Sequence, residues 1–293
     1  MRIIRVFPRR TSYTPVDEMV FVNEPPGLFI PEHDEVHISC VFTWDKVQCE
    51  WLRCQWAVRT DKPVRLGGPA YGSPCGTFTP GFYVKKGIVF TSRGCNNSCP
   101  WCFVPLREGR LKELPICEGN IIQDNNFLQT SRAHKDKVFA MLRGQRAVSF
   151  KGGLQNNLID SHFIDNIQKL KISSLWLACD NDNALPGLVA AVEKLKRAGF
   201  SRCHIYVYTL IGDCMEANEA RLRAIFNAGA KPFAQLYQPP ENNRREYSGY
   251  WKRFARKWSR PALTNAHMRN GATIYRNEFE FCKKVIEERS GNG

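Results

Sequence analysis

The chain is short of acid. Its 293 residues carry 28 Asp and Glu against 42 Lys and Arg, a formal net charge of +14. An excess of that size points to a polyanionic partner or a phosphate-bearing substrate, with plain solvation as the bland alternative. Long apolar runs are missing too. Nothing approaches the roughly 20 consecutive apolar residues of a membrane helix, which excludes a helical span, so no membrane partner is expected. Met1-Arg2-Ile3-Ile4-Arg5 is charged but lacks the apolar stretch of a secretory signal. The chain is therefore expected in the cytoplasm with its thiols reduced. A third absence concerns cysteine pairs. The 12 cysteines are scattered, and Cys99/Cys102 is the one Cys-x2-Cys unit. A structural zinc knuckle usually draws four ligands from two such units, so this arrangement argues against it, and an oxidised disulfide scaffold fits no better.

What is present is Thr91-Ser92-Arg93-Gly94-Cys95-Asn96-Asn97-Ser98-Cys99-Pro100-Trp101-Cys102-Phe103, directly after the apolar run Gly87-Ile88-Val89-Phe90. Three thiolates on one tight loop can hold three irons of a four-iron cluster and leave the fourth open to a small molecule. Downstream, strand-like and helix-like stretches alternate six times. The strands are expected at Ile88–Ser92, 120–124, 147–150, 174–179, 204–211 and 231–237, with helices near 134–143, 162–170, 185–198 and 217–227. Alternation at this pitch means a parallel sheet covered by helices, with chemistry at the carboxyl ends of the strands.

Cys95, Cys99 and Cys102, the strand before them and the alternation after them resemble the radical S-adenosylmethionine (SAM) enzymes. The resemblance spans about residues 36–240. It implies a partial (β/α)6 barrel over 81–240; the residues themselves read as a small α/β domain over 1–80 before it and a basic helical extension over 241–293 after it. It implies two cofactors, a 4Fe-4S cluster held by the three cysteines and S-adenosyl-L-methionine on the open iron. An external electron donor of flavodoxin or ferredoxin type is implied as well. The expected activity is reductive cleavage of SAM to a 5′-deoxyadenosyl radical that takes hydrogen from a substrate. Residues matching the SAM-binding rim are Trp101, then Asp124, Asn125 and Asn126 after the second strand. Gly152 and Gly153 follow the third strand, Asp180 the fourth and Gly212 the fifth. Asp124-Asn125-Asn126 stands where the family usually has Gly-Gly-Glu. Any one of these alone is ordinary turn chemistry; together at strand ends they read as a ligand rim.

In the leading segment, Arg2, Arg5, Arg9 and Arg10 make a basic start, followed by a proline-rich loop. A strand over 36–42, a helix from Asp45 to about Val58 and a strand over 63–68 resemble a shortened cobalamin-binding-type domain. Val47, Trp51, Cys54 and Val58 are expected on one face of that helix. No histidine lies between His37 and His134, so the cobalamin-ligating Asp-x-His-x-x-Gly motif is missing and the domain reads as a scaffold. Cys40, Cys49, Cys54 and Cys75 match no ferredoxin spacing.

In the extension, Arg244, Arg245, Lys252, Arg253, Arg256, Lys257 and Arg260 meet one acid, Glu246, while Trp251, Phe254, Ala255 and Trp258 recur at helical spacing. The aromatic stripe is expected to pack on the barrel, leaving the cations for phosphates. The expected substrate is a nucleobase in DNA, RNA or a nucleotide; the compact arrangement resembles radical SAM proteins of phage genomes, which would place the chain in a host cytoplasm. The alternatives are a peptide or small metabolite, disfavoured because no run of extra cysteines follows the barrel, and a zinc module without activity. The final Ser290-Gly291-Asn292-Gly293 is expected to be disordered.

Overall fold

Two parallel sheets organise the chain in the computed structural model, which describes every residue except 26, 28, 73–77, 240–244 and 270–293. Arg244, Cys75 and Ser290–Gly293 therefore lie outside the described residues.

The leading sheet holds β1 (Ile3–Phe7), β2 (Val20–Val22), β3 (Glu35–Ser39) and β4 (Val64–Gly67), in the order β2-β1-β3-β4 with every pair parallel. Helix α1 (Lys46–Ala57) crosses from β3 to β4, so the expected strand–helix–strand unit is there. The amino end departs from expectation. Ile3–Phe7 is a central strand rather than a basic lead-in, with Ile4 and Val6 fully buried. Its Arg5 is buried as well, paired with Asp17 at 2.5 Å and donating to the Phe82 carbonyl at 2.8 Å. Arg2 pairs with Glu32 and Arg9 with Asp45. Three of the four leading arginines are thus matched within the chain. Asp45 precedes α1 but makes no side-chain cap; its carboxylate faces Arg9 instead.

The face of α1 is also corrected. Cys49, Leu52 and Trp56 go inward, whereas Val47 and Val58 are 83% and 84% exposed and Trp51 and Cys54 face solvent. Both stripes fit a helical repeat. The inner one wins because Leu52 and Trp56 fill the space over Ile4, Val36 and Ile38, and a large side chain gains about 1.5–3 kcal/mol from full burial.

The second sheet begins with β5 (Ile88–Val89). The chain then turns into a small antiparallel pair, β6 (Ser92–Arg93) with β7 (Lys112–Glu113), separated by α2 (Val104–Arg107). Strands β8 (Ile121–Ile122), β9 (Val148–Leu154), β10 (Ile172–Ala178), β11 (Ile205–Ile211) and β12 (Lys231–Leu236) complete it. The order is β5-β8-β9-β10-β11-β12, sequential and parallel throughout. Between successive strands run α3 (Arg132–Leu142), α4 (Ser161–Ile167), α5 (Leu185–Arg197) and α6 (Met215–Ala228). A sequential order without reversal, joined by right-handed crossovers, puts the helices on one face. The core agrees: Val148, Phe150, Leu175, Leu177, Ile205 and Val207 meet Phe139, Phe163, Leu188 and Val192 from the helices. The opposite face carries Ser149, Ser174, Trp176, Tyr206, Tyr208 and Phe233, with Trp176 stacked on Tyr206 at 4.5 Å.

The expected first strand, Ile88–Ser92, is divided. Its parallel pairing ends at Val89, because the Thr91 backbone N–H goes to the Asp124 carboxylate instead of to a neighbouring strand. In the extension, α7 (Gly249–Ser259) buries Phe254 and Trp258 against Ile211, Leu222 and Ala234, with Trp251 and Ala255 at the margin, as the stripe implied. Ser248 caps it by accepting from the Trp251 N–H. Helix α8 (Pro261–Arg269) follows. Among the described residues no helix is long and apolar enough to cross a membrane.

Candidate functional site

The cysteine loop leaves β6 and sits over the carboxyl ends of β8, β9 and β10. Its root is braced by Asp124, which follows β8 and is 1% exposed. This carboxylate accepts from the Thr91 N–H at 2.6 Å, the Thr91 hydroxyl at 2.5 Å and the Ser92 hydroxyl at 2.9 Å. Burial pushes its pKa above the usual carboxylate range, against the pull of those donors. Asn125 Oδ1 accepts from the Gly94 N–H at 3.1 Å, which holds the next turn of the loop. Both residues expected on the rim therefore brace the loop itself.

Gly152 serves the same joint. A Cβ there would lie 1.5 Å from the Asp124 carbonyl oxygen, so the close approach that glycine permits is to the chain's own backbone. Gly153, in the left-handed region at φ 100°, has open space where a Cβ would be.

The three cysteines are half-buried. The Cys102 N–H donates to the Cys99 carbonyl at 3.0 Å, which closes the turn between them. Burial raises the Cys99 thiol, helped by Cys102 and Cys95. Cys102 is raised mainly by burial, with Cys95, Asp180 and Glu108 adding to it. The Asp180 carboxylate thus adds to the shift of both Cys99 and Cys102. Among the described residues, no three His, Cys, Asp or Glu side chains are gathered to hold a single metal ion. A four-iron cluster sets a different requirement, one thiolate per iron, so its ligands stand apart.

Cys95 is enclosed by carboxamides. Its sulfur accepts from the Asn97 N–H at 3.4 Å and from Asn126 Nδ2 at 3.7 Å, and its thiol donates to Gln129 Oε1 at 3.6 Å. Asn126 is 4% exposed, and its Oδ1 has no partner. Gln129 and Gln155 complete the cage; sequence reading passed over both. Gln155 stands next after β9, the strand-end position that could have found it; Gln129 closes the short turn Phe127–Gln129 farther along the segment after β8.

Asp180 follows β10 and accepts from the Leu210 N–H at 3.0 Å and from the Trp101 side chain. Burial raises its pKa, opposed by those two bonds and by Arg221. Trp101 of the loop is thereby tied to β10 and β11. Asn181 Oδ1 caps the next turn through the Ala184 N–H. Gly212 follows β11 at φ 137°, and a Cβ there would lie 2.4 Å from the Tyr247 hydroxyl, which donates to the Tyr237 carbonyl at 2.7 Å. Gly212 is therefore covered by the start of the extension. The structure brings Cys95, Cys99, Cys102, Trp101, Asn126 and Asp180 together above the strand ends.

The leading domain reaches the same region. The Tyr13 hydroxyl donates to Gln123 Oε1 at 3.0 Å, and the Tyr208 hydroxyl donates to the Lys151 carbonyl at 3.0 Å. Burial raises both phenols, and Tyr13 adds to the effect on Tyr208. The extension's cations lie apart, on the solvent face of α7. Lys252, Arg253 and Arg256 are exposed, as is Arg245 before the helix, and Lys257 is half-buried. The chain matches no protein-family model and no curated protein.

Proposed function

We propose that this protein is a radical SAM enzyme built on a partial (β/α)6 barrel. The observation that carries the reading is the placement of Cys95, Cys99 and Cys102 on one loop over the carboxyl ends of a sequential, all-parallel six-stranded sheet. Active sites of parallel (β/α) barrels stand at that end. The donor set fits a 4Fe-4S cluster: three half-buried thiols on one loop, with N–H groups directed at the Cys95 sulfur. When bound, the cluster would supply an electron and an open iron, the chemistry that reductive cleavage of SAM needs, with Cys95, Cys99 and Cys102 as the residues that would hold it.

The chain's own residues position what binds. Asp124 and Asn125 set the loop on the sheet, and Gly152 lets β9 close on that joint. Asn126 Oδ1 is a buried acceptor without a donor. Left so, it costs about 1–3 kcal/mol, a cost that the ammonium group of SAM would remove. Asp180 and Trp101 lie beside Cys102 and suit ribose hydroxyls and the adenine edge; Gly153 and Gly212 lie at neighbouring strand ends. An external flavodoxin- or ferredoxin-type protein supplies the electron.

The substrate we favour is a nucleobase, carried on DNA, RNA or a nucleotide. Lys252, Arg253, Arg256 and Lys257 support this as one cationic helix face beside the barrel, together with Arg245. The internal pairing of Arg2, Arg5 and Arg9 removes the amino end from that argument. The test is product analysis: anaerobically reconstituted protein, SAM and a reductant, with DNA, RNA and nucleotides supplied in turn. A modified base together with 5′-deoxyadenosine is expected. Deoxyadenosine formed at one rate whatever is supplied would reject the substrate class and leave SAM cleavage standing.

A further inference from the structure

One oxygen organises the cage around Cys95. Gln155 Oε1 accepts from Asn126 Nδ2 at 2.8 Å, from Gln129 Nε2 at 2.9 Å and from Asn97 Nδ2 at 3.1 Å. Its own Nε2 donates to Asn157 Oδ1 at 2.9 Å. Three donors converging on one atom fix that amide's orientation, since the flipped form would set an NH2 group against three others. The orientation then passes outward. With one N–H of Asn126 held by Gln155, the other is left for the Cys95 sulfur, 3.7 Å away, and the carbonyl can face neither. Gln129 is fixed on both sides, its Nε2 also on Asn97 Oδ1 at 2.9 Å and its Oε1 on the Asn96 N–H at 2.8 Å. When the Cys95 thiol gives up its proton to ligate iron, Gln129 Oε1 therefore remains held. The cage joins the cysteine loop, the segment after β8 and the residue after β9. Among the described residues no side-chain amide is hydrogen-bonded to the sulfur of Cys99 or Cys102; the Cys102 sulfur meets the backbone of Val104 instead.

We infer that Gln155 is a positioning residue that holds the Asn126 amide N–H on the Cys95 sulfur and thereby raises the reduction potential of the cluster. Hydrogen bonds to cluster sulfurs stabilise the more negative, reduced state, and outer residues that orient such groups tune the metal. The inference rests on the cluster reading above, and it assigns to one cysteine of the three a role in redox poise.

The experiment compares the reconstituted parent with Gln155→Leu, Asn126→Leu and the double variant, by iron content and by redox titration of the cluster signal. All are expected to keep four irons, since no thiolate is touched. Each single variant should become harder to reduce, with the reduced-to-oxidised ratio at a fixed potential falling about tenfold, a shift of about 59 mV for one electron. The double variant should shift no further than Asn126→Leu, because Gln155 acts through Asn126. An unchanged potential in Gln155→Leu, or shifts that add in the double variant, would overturn the inference. Should Gln155→Leu fail to hold iron, Asn126→Ala decides: it removes the N–H from the sulfur but leaves Gln155 Oε1 its other two donors, Gln129 and Asn97, and an unchanged potential in it is equally fatal. A parent that takes up no iron would instead sink the cluster reading itself.

Discussion

Replacing Asp124 separates two reasons for burying a carboxylate. The side chain is 1% exposed and accepts three hydrogen bonds, from Thr91 and Ser92, which are themselves fully buried. If satisfying those donors is its role, Asp124→Ala strands the Thr91 N–H and two hydroxyls. A buried donor left without a partner costs about 1–3 kcal/mol, and the hydroxyls can re-aim while the N–H cannot. The expected loss is about 2–5 kcal/mol, together with lower iron loading, because the loop root is freed. Asp124→Asn should cost less than about 1 kcal/mol: its oxygen takes the N–H, and its amide donates to hydroxyls that can also accept.

The pH dependence follows from the direction of the shift. Burial raises the folded pKa of Asp124, so the folded state holds the proton more tightly than the unfolded chain. Its contribution therefore falls as pH rises above the ordinary carboxylate value of about 3.9 towards the folded one. Asparagine has no such step, and Asp124→Asn should gain on the parent across that window. Urea unfolding of the metal-free protein at several pH values measures both effects. Asparagine as damaging as alanine, or a parent that gains on Asp124→Asn as pH rises, would refute the reasoning.

Asp180→Ala removes the acceptor of the Leu210 N–H and the Trp101 side chain. It should weaken SAM binding about tenfold to a hundredfold with iron content unchanged, from a loss of about 1.5–3 kcal/mol, measurable by equilibrium binding. Replacing Lys252, Arg253, Arg256 and Lys257 together with Ala should weaken nucleic-acid binding and flatten its salt dependence, whose log–log slope is about −0.7 to −0.9 per phosphate contact. The same variant should cleave SAM without substrate as the parent does. Parent-like binding in it would make the charge mere solvation.

Much of this arrangement is legible in the residue order. Long strands such as Ile205–Ile211 and amphipathic helices such as Leu185–Arg197 declare themselves because one buried face repeats at a fixed period. The packed side of α7 is read correctly for the same reason. Residues 3–7 hide because a central strand this short, carrying Arg5 and flanked by Arg2, Arg9 and Arg10, looks like a basic tail; only the Asp17 partner shows why Arg5 can be buried. On α1 two apolar stripes compete, and the choice depends on Ile4, Val36 and Ile38 across the interface. At the site the cysteines are visible by spacing alone. Whether Asp124 faces a ligand or the chain is decided by Thr91 and Ser92, some thirty positions away, and no local pattern records that. Gln129 and Gln155 pass unnoticed because an uncharged amide carries no motif.

The central claim is tested most directly by anaerobic iron–sulfur reconstitution, followed by SAM and a strong reductant. The account expects a brown protein with four irons per chain, bleached on reduction, that releases methionine and 5′-deoxyadenosine. Changing Cys95, Cys99 or Cys102 to Ala should each abolish colour and cleavage, while Cys40, Cys49 and Cys54 variants keep both, the first two being buried thiols of the leading core and the third exposed. A colourless chain holding one zinc, or a brown one that leaves SAM intact, would contradict it.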